Sequence, residues 1–447
     1  MGKRKKKKYI FHKETSEKLW IPSENSLIKT KLPRNLENTW FDSEIKENIH
    51  GNDKIKCKEF YPEKLDSIIR CKKVELYPTQ EQKDILQKWI TVYRYIYNQT
   101  VRFFRKNPTA KKSFYSTRKI IKDKLKKVKE RVDFIKDSKI PSHTIDYAIK
   151  DVIDAYTSAF SNLKNDNIKH FKLRYKKKSS ARQTLVIEAS GFPLFHKRAK
   201  NKKKDENTWV LNNTFCPSVL GKHIKSSEDI SKVDKNCRLT YFERLDAYYL
   251  FVPYDKKTEE YNQDDICVLD PGCRTFQTGY TSNKVLELGN GTTSRISYYL
   301  RKIDKSKDKK EYHRLQKKLK NKIDELHNKV ANYLTKTFKY IIVGNLSTKE
   351  TNKREGNLRK MTKRILSTLR HFEWRTKMKA KCEERGVFFE VIDEAYTSKT
   401  CSCCGYLKSN LGGNKIFRCD KCGIVLDRDY NGCRNILIKG REKVLQP

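Results

Sequence analysis

TSKTCSCCGYLKSNLGGNKIFRCDKCGIVLDRDYNGCRN, residues 397–435, decides how the rest of this 447-residue chain is read. Two C-x2-C knuckles, Cys401/Cys404 and Cys419/Cys422, are separated by fourteen residues. Zn²⁺ favours four thiolates in a tetrahedron, and a two-residue gap lets each knuckle present both sulfurs to one ion. The spacing predicts a zinc ribbon whose closed four-sulfur site folds the loop and performs no chemistry itself. Cys403, between two ligands, is a bystander in this reading. Seven residues after the last knuckle stands Asp429, at the head of a helix-like NGCRNILIKG, so the ribbon delivers a carboxylate to a fixed place.

Working outward, the chain carries 100 Lys+Arg against 54 Asp+Glu, a formal net charge of +46. Such an excess cannot compensate itself and predicts a polyanionic partner. Aromatics at 11%, 24 of the residues being Tyr, suit stacking on bases as well. No segment reaches 18 uncharged apolar residues and no signal-peptide pattern appears, so no membrane partner is expected. The thirteen cysteines are scattered apart from the two knuckles, which fits a reducing compartment better than a disulfide framework. Lys3 to Lys8 is an unbroken basic run, read as a nuclear address or nucleic-acid tail, with a merely solvated terminus as the plainer alternative.

Residues 1–69 are polar and aperiodic and read as a basic, partly disordered extension. CKKVELYPTQEQ (71–82) predicts a strand closed by Pro78, then a helix capped by Thr79 with Gln82 at capping-box spacing. Apolar residues at helical spacing from Ile85 to Tyr97, a Lys-rich segment 109–137, and IPSHTIDYAIKDVIDAYTSAFSNL (140–163) predict further helices. FKLRYKKK, QTLVIEAS, TWVLNN, CRLTYFER and AYYLFVPY, within 171–255, read as short antiparallel strands, and KTEEYNQDD (257–265) as a linker. ICVLDPGCRTFQTGYTS (266–282) predicts a strand, a Pro-Gly turn and a second strand. A charged helical region over 297–338, a buried strand in FKYIIVGNLS (338–347), a helix over 359–386 stopped by Gly386, and a strand VFFEVIDEAYTS (387–398) complete an α/β unit.

Phosphodiester hydrolysis by two metal ions needs converging carboxylates, and Mg²⁺ suits oxygen ligands of that kind. Asp270 ends an apolar strand, where an unpaired charge is costly to bury. Alone it reads more simply as a turn cap; together with the later strand, the ribbon and the RD-x-N segment it reads as a ligand.

On LDPGCRTFQTGY (269–280), YTSKTCSCCG (396–405), FRCDKCG (417–423) and DRDYNGCRNI (427–436), the chain resembles the TnpB/Fanzor group of transposon-associated, RNA-guided DNA endonucleases, relatives of the type V CRISPR nucleases. The resemblance spans about residues 70–447. It implies a multidomain α+β architecture: an RNase-H-like (RuvC) α/β nuclease domain (263–400 and 424–447) with an inserted zinc ribbon (401–423), a wedge β-barrel (70–78 and 165–262) and a helical recognition domain (79–164). It implies a catalytic Asp, Glu and Asp holding Mg²⁺, two ions being expected. Asp270 matches the first and Asp429 the last, with Asp427 the near neighbour ranked second. The chain departs at the glutamate: the usual I-x-I-E-D-L strand is here YIIVGNLS, with Gly344 and Asn345 in the acidic slots. Glu394, at the end of VFFEVIDE, is the expected substitute, a relocation that points to the Fanzor branch. Glu390, four residues earlier on the same strand face, is the alternative, and Asp393 faces the other way.

Three basic segments with interleaved aromatics, 111–131, 169–178 and 359–375, would track phosphates and stack on bases. The Trp/Tyr stripe from Trp89 to Tyr97, His327 and His371 read first as core. By resemblance the partners are a guide RNA of the omega-RNA type and target double-stranded DNA, in a ribonucleoprotein with one protein copy; the Fanzor-like site and the basic N-terminal run point to a nucleus, with the cytoplasm or nucleoid as the alternative. Two functions stand: an RNA-guided, Mg²⁺-dependent DNA endonuclease, or a non-catalytic nucleic-acid-binding transposon accessory protein with a decayed site. The position of the 387–394 carboxylates relative to Asp270 and Asp429 discriminates them.

Overall fold

The computed structural model describes residues 11–37, 39–51, 54–62, 67–193, 213–259, 265–347, 358–412 and 414–446. The chain divides into two compact units, one of Met1–Ile68 with Lys257–Pro447 and one of Ile69–Lys256. The basic run Lys3–Lys8 and most of TWVLNN lie outside the described residues.

The chain starts in the first unit with helix α1 (Lys13–Glu17) and strands β1 (Leu27–Lys29) and β2 (Asp42–Asn48). The expected partial disorder over 1–69 is therefore corrected for these residues. Ile45, Phe41 and Leu36 are buried in a core that also holds Leu286 and Leu288. Apolar residues spaced singly through a polar stretch were enough to anchor it.

The second unit opens with β3 (Ser67–Tyr77) and helix α2 (Gln80–Lys106). The capping box is formed: Gln82 N–H donates to Thr79 Oγ1, and Thr79 N–H to Gln82 Oε1 at 3.0 Å. Helices α3 (Phe114–Lys126), α4 (Lys129–Asp137) and α5 (Ser142–Lys164) follow, then β4 (Arg182–Ile187), a short α6 (Pro217–Leu220), β5 (Lys225–Ser226), β6 (Cys237–Phe242) and β7 (Ala247–Lys257). The five strands run in the order β4-β6-β7-β3-β5, and no ladder among the described residues joins β4 to β5. One core of Trp89, Tyr93, Ile149, Val152, Leu185, Leu239 and Leu250 unites helices and sheet, so the Trp/Tyr stripe is core. FKLRYKKK is not a strand. Its backbone bonds to α2 side chains instead, Asn98 pairing with both polar groups of Lys176 and Arg105 reaching the Leu173 carbonyl.

Returning to the first unit, β8 (Ile266–Pro271), β9 (Gln277–Thr281) and β10 (Lys284–Asn290) form an antiparallel meander. Helices α7 (Thr292–Lys305) and α8 (Lys309–Thr337) lead to β11 (Tyr340–Gly344). Then α9 (Lys360–Leu369) and α10 (His371–Arg385) lead to β12 (Phe388–Ile392). Each of the two long helical regions expected from the sequence is broken once. Asp308 caps α8 through the amides of Lys310 and Glu311, and Arg370 turns left-handed (φ 51°) between α9 and α10. The ribbon hairpin β13 (Ile416–Arg418) and β14 (Val425–Asp427) runs straight into α11 (Arg428–Val444).

The large sheet has the order β1-β2-β10-β9-β8-β11-β12, with β8, β11 and β12 parallel. Side chains alternate across it. Cys267, Leu269, Ile341 and Val343 face the α7–α10 layer, while Ile266, Val268, Ile342 and Ile392 face α11. By the same period, Asp270, Gly344 and Glu390 belong to the α11 face.

Candidate functional site

Asp270, at the end of β8, is covered by α11. The fit is close enough that a Cβ on Gly432 would run into the Asp270 carboxylate. Burial pushes the Asp270 carboxyl well above the usual carboxylate range; the charges of Glu394 and Asp429 push the same way, and Arg428 opposes them.

Gly344 is paired in register with Ile392 on β12. Two residues on, Glu394 folds back into the space that a side chain at Gly344 would fill. A Cβ there would lie 2.5 Å from Glu394 Oε1 and 2.7 Å from its Cγ. Glu394 Oε1 is buried with no hydrogen-bond partner among the described residues. Burial pushes its carboxyl up to about 7, against the pull of Arg375 on α10. An orphaned acidic oxygen beside a second raised carboxyl is what a cation would relieve.

Glu390 lies on the same strand but is engaged by Lys443 of α11. Asp393 pairs with Lys439 at 3.0 Å. Asp427 accepts the amides of Asp429 and Tyr430, so it serves as the N-cap of α11. Its neighbour Lys415 also bonds Glu287, which accepts the Tyr430 hydroxyl at 2.9 Å. Asp429, the second residue of α11 and so within its electropositive first turn, has Arg428 at 3.5 Å.

The four ribbon cysteines converge. Cys401 and Cys422 sulfurs lie 3.7 Å apart and Cys404 and Cys419 sulfurs 3.6 Å. Four sulfurs about 2.3 Å from one Zn²⁺ in a tetrahedron would be about 3.8 Å apart, so the set fits zinc. Among the described residues this is the one group of three or more His, Cys, Asp or Glu whose ligand atoms all fall within 4.8 Å of one another. Asp270, Glu394 and Asp429 do not all fall within that distance of one another.

Three residues were given no role in the sequence reading, although Asn431 is the Asn of RD-x-N. Asn431 accepts the Ser402 amide at 2.9 Å and donates to the Thr400 carbonyl at 2.8 Å. Asn435 donates to the carbonyls of Thr397 and Thr400. Arg434 is fully buried between them. The three polar residues bind the first knuckle to the helix that carries Asp429. Their signal was available: positions 431, 434 and 435 share one face of a helix that is otherwise apolar from Ile436 to Ile438. Arg375 gave no such signal.

This is a mixed α/β multidomain fold whose cysteine cluster could hold zinc and whose sheet end gathers buried acidic groups. Residues 371–436 match the family model described as Cas12f1-like, TNB domain, and residues 68–107 a helix-turn-helix domain. The chain is 30% identical to TnpB-like protein L79 of Acanthamoeba polyphaga mimivirus, over 83% of this chain and 73% of that one. It is 35% identical to the CRISPR-associated endodeoxyribonuclease Cas12f1 of Sulfoacidibacillus thermotolerans, over 28% of this chain and 31% of that one. A solved Cas12f1–sgRNA–target DNA complex superposes at TM-score 0.39 with 14% identity, covering 86% of this chain and all of that one. The chain belongs to the TnpB family, related to the type V nucleases.

Proposed function

We propose that this chain is an RNA-guided DNA endonuclease whose RuvC-type site holds Mg²⁺ on Asp270, Glu394 and Asp429. The observation that carries the reading is Glu394 Oε1, buried and unpartnered in the side-chain space of Gly344. Bound Mg²⁺ would supply activation of water and neutralisation of charge at the phosphate. Asp270 and Glu394 contribute anionic oxygens from the ends of β8 and β12, the two strands that flank β11. Asp429 is held by its helix cap and by the ribbon behind it. Zn²⁺ on Cys401, Cys404, Cys419 and Cys422 is structural. The glutamate's position favours the Fanzor branch. In this reading the 79–164 helices and the five-stranded sheet serve recognition and wedge roles for guide RNA and target DNA, and the setting is a nucleus. The rival, a decayed binder, rests on the empty acidic slot at Gly344; the Glu394 carboxylate lying in that side-chain space weighs against it.

The test is to purify the protein with its co-expressed RNA, sequence that RNA, and assay matched DNA with Mg²⁺ and with EDTA. Asp270→Ala, Glu394→Ala and Asp429→Ala should each abolish cleavage and leave RNA binding intact. Cleavage at the wild-type rate by Glu394→Ala, with loss in Glu390→Ala, would transfer the role to Glu390.

A further inference from the structure

Arg434 joins three pieces of chain that are remote in sequence. Its Nη1 donates to Ser402 Oγ at 2.6 Å, between two of the zinc-spaced cysteines. Its Nη2 donates to the carbonyls of Ser16 at 3.1 Å and Leu19 at 2.9 Å. The planar fork of the buried guanidinium fixes the directions of all three acceptors, while its Nε–H is buried with no hydrogen-bond partner among the described residues. The segment it holds is anchored on both sides. Ser16 Oγ donates to the Cys403 carbonyl at 3.1 Å, and the Phe11 ring fills the space over Gly405. Trp20 stacks on Tyr280 of β9, its Nε1 donating to the Thr281 carbonyl at 3.0 Å and its own carbonyl accepting the Tyr280 hydroxyl. Residues 11–20 thus bridge the first cysteine knuckle, the central sheet and α11. Arg434 lies five residues after Asp429 on that helix.

We propose that residues 11–20 are a clasp that sets the position of Asp429, with Arg434 as the positioning residue. The clasp transmits the placement of the ribbon to the start of α11 by gripping the knuckle and the helix at once. Arg434 touches no reacting group. The inference rests on Asp429 being a metal ligand, but the clasp itself is measurable apart from cleavage.

The experiment uses the full-length ribonucleoprotein in wild-type, Arg434→Met and Trp20→Ala forms, the last loosening the clasp from its far end should the first misfold. Two quantities are read: amide hydrogen exchange, and cleavage as a function of Mg²⁺ concentration. Both variants should raise exchange in residues 13–20 and 400–406 together by roughly tenfold, with the 69–256 unit unchanged. Both should raise the Mg²⁺ concentration for half-maximal cleavage by roughly tenfold or more, with saturating Mg²⁺ recovering most of the rate. Release of 13–20 without any change in 400–406 would overturn the clasp. A uniformly lower rate with an unmoved Mg²⁺ midpoint would reduce Arg434 to a stabilising residue and overturn the positioning role. A wild-type protein that never cleaves would remove the nuclease reading, while the exchange data would still decide whether the clasp exists.

Discussion

At residue scale, the site turns on an exchange between Gly344 and Glu394. A Cβ at position 344 would stand 2.5 Å from the Glu394 carboxylate, so an alanine there must drive that carboxylate away. Gly344→Ala should cut cleavage by roughly 10²-fold, the scale expected when a ligand moves by about 1 Å. The pair Gly344→Glu with Glu394→Gly should recover part of that loss, because the second change vacates the volume the first fills. Single-turnover rates for the three proteins check this, and an undiminished rate in Gly344→Ala would refute the packing argument. The cysteine cluster could be read from spacing, because metal ligation leaves a local mark; Asp270 and Asp429 stood out only through the combination of strand end, ribbon and RD-x-N and through the family resemblance. The choice of Glu394 over Glu390 was drawn from the sequence as an alternative pair; what separates them is Lys443, which engages Glu390 from a helix 53 residues away. No local pattern carries that.

At the scale of elements, α8 and α10 place two buried histidines on either side of Phe276, with ring centroids 5.2 Å and 5.1 Å from it. His371 Nε2 bonds the Gly272 carbonyl at 3.1 Å, in the turn directly after Asp270. Burial lowers the His371 pKa to about 3. An unfolded histidine takes its proton near 6.5, so between pH 6.5 and 3 the unfolded chain binds more protons, and acid favours unfolding. For this one group stability should fall by up to roughly 1.4 kcal/mol per pH unit below 6.5. Urea melts of wild type and His371→Gln between pH 7 and 4.5 should show a shallower decline in the variant; identical slopes would assign the acid sensitivity elsewhere. Helix positions were legible from apolar spacing, and both histidines were read as core. The break at Arg370 was not, because its left-handed turn is held by ion pairs to Asp324 and Glu373 that form only on folding. The same holds for β2, whose strand character comes from pairing with β10, far along the chain, and through it for β1, which pairs with β2.

At the scale of the whole molecule, a net charge of +46 makes nucleic-acid affinity a function of ionic strength. If roughly six to ten phosphates are neutralised, binding should weaken about 10³–10⁵-fold between 50 and 200 mM salt. Filter binding or anisotropy over that range measures the slope, and a flat response would contradict an electrostatic footprint. Among the described residues, no helix is long and apolar enough to cross a membrane.

The pairing of β2 with β10 also sets a schedule. Glu47 is matched with Lys284, and the 69–256 unit lies entirely between them. During synthesis at about 5–20 residues per second, β2 leaves the ribosome roughly 10–50 s before its partner strand exists. Its charged residues Asp42, Glu44, Lys46 and Glu47 keep a lone strand soluble through that wait. A strand made before the 69–256 unit finds its partner only after it, so a ribosome stalled before β10 holds a chain whose 69–256 unit can be complete while its large sheet cannot be joined across β2 and β9.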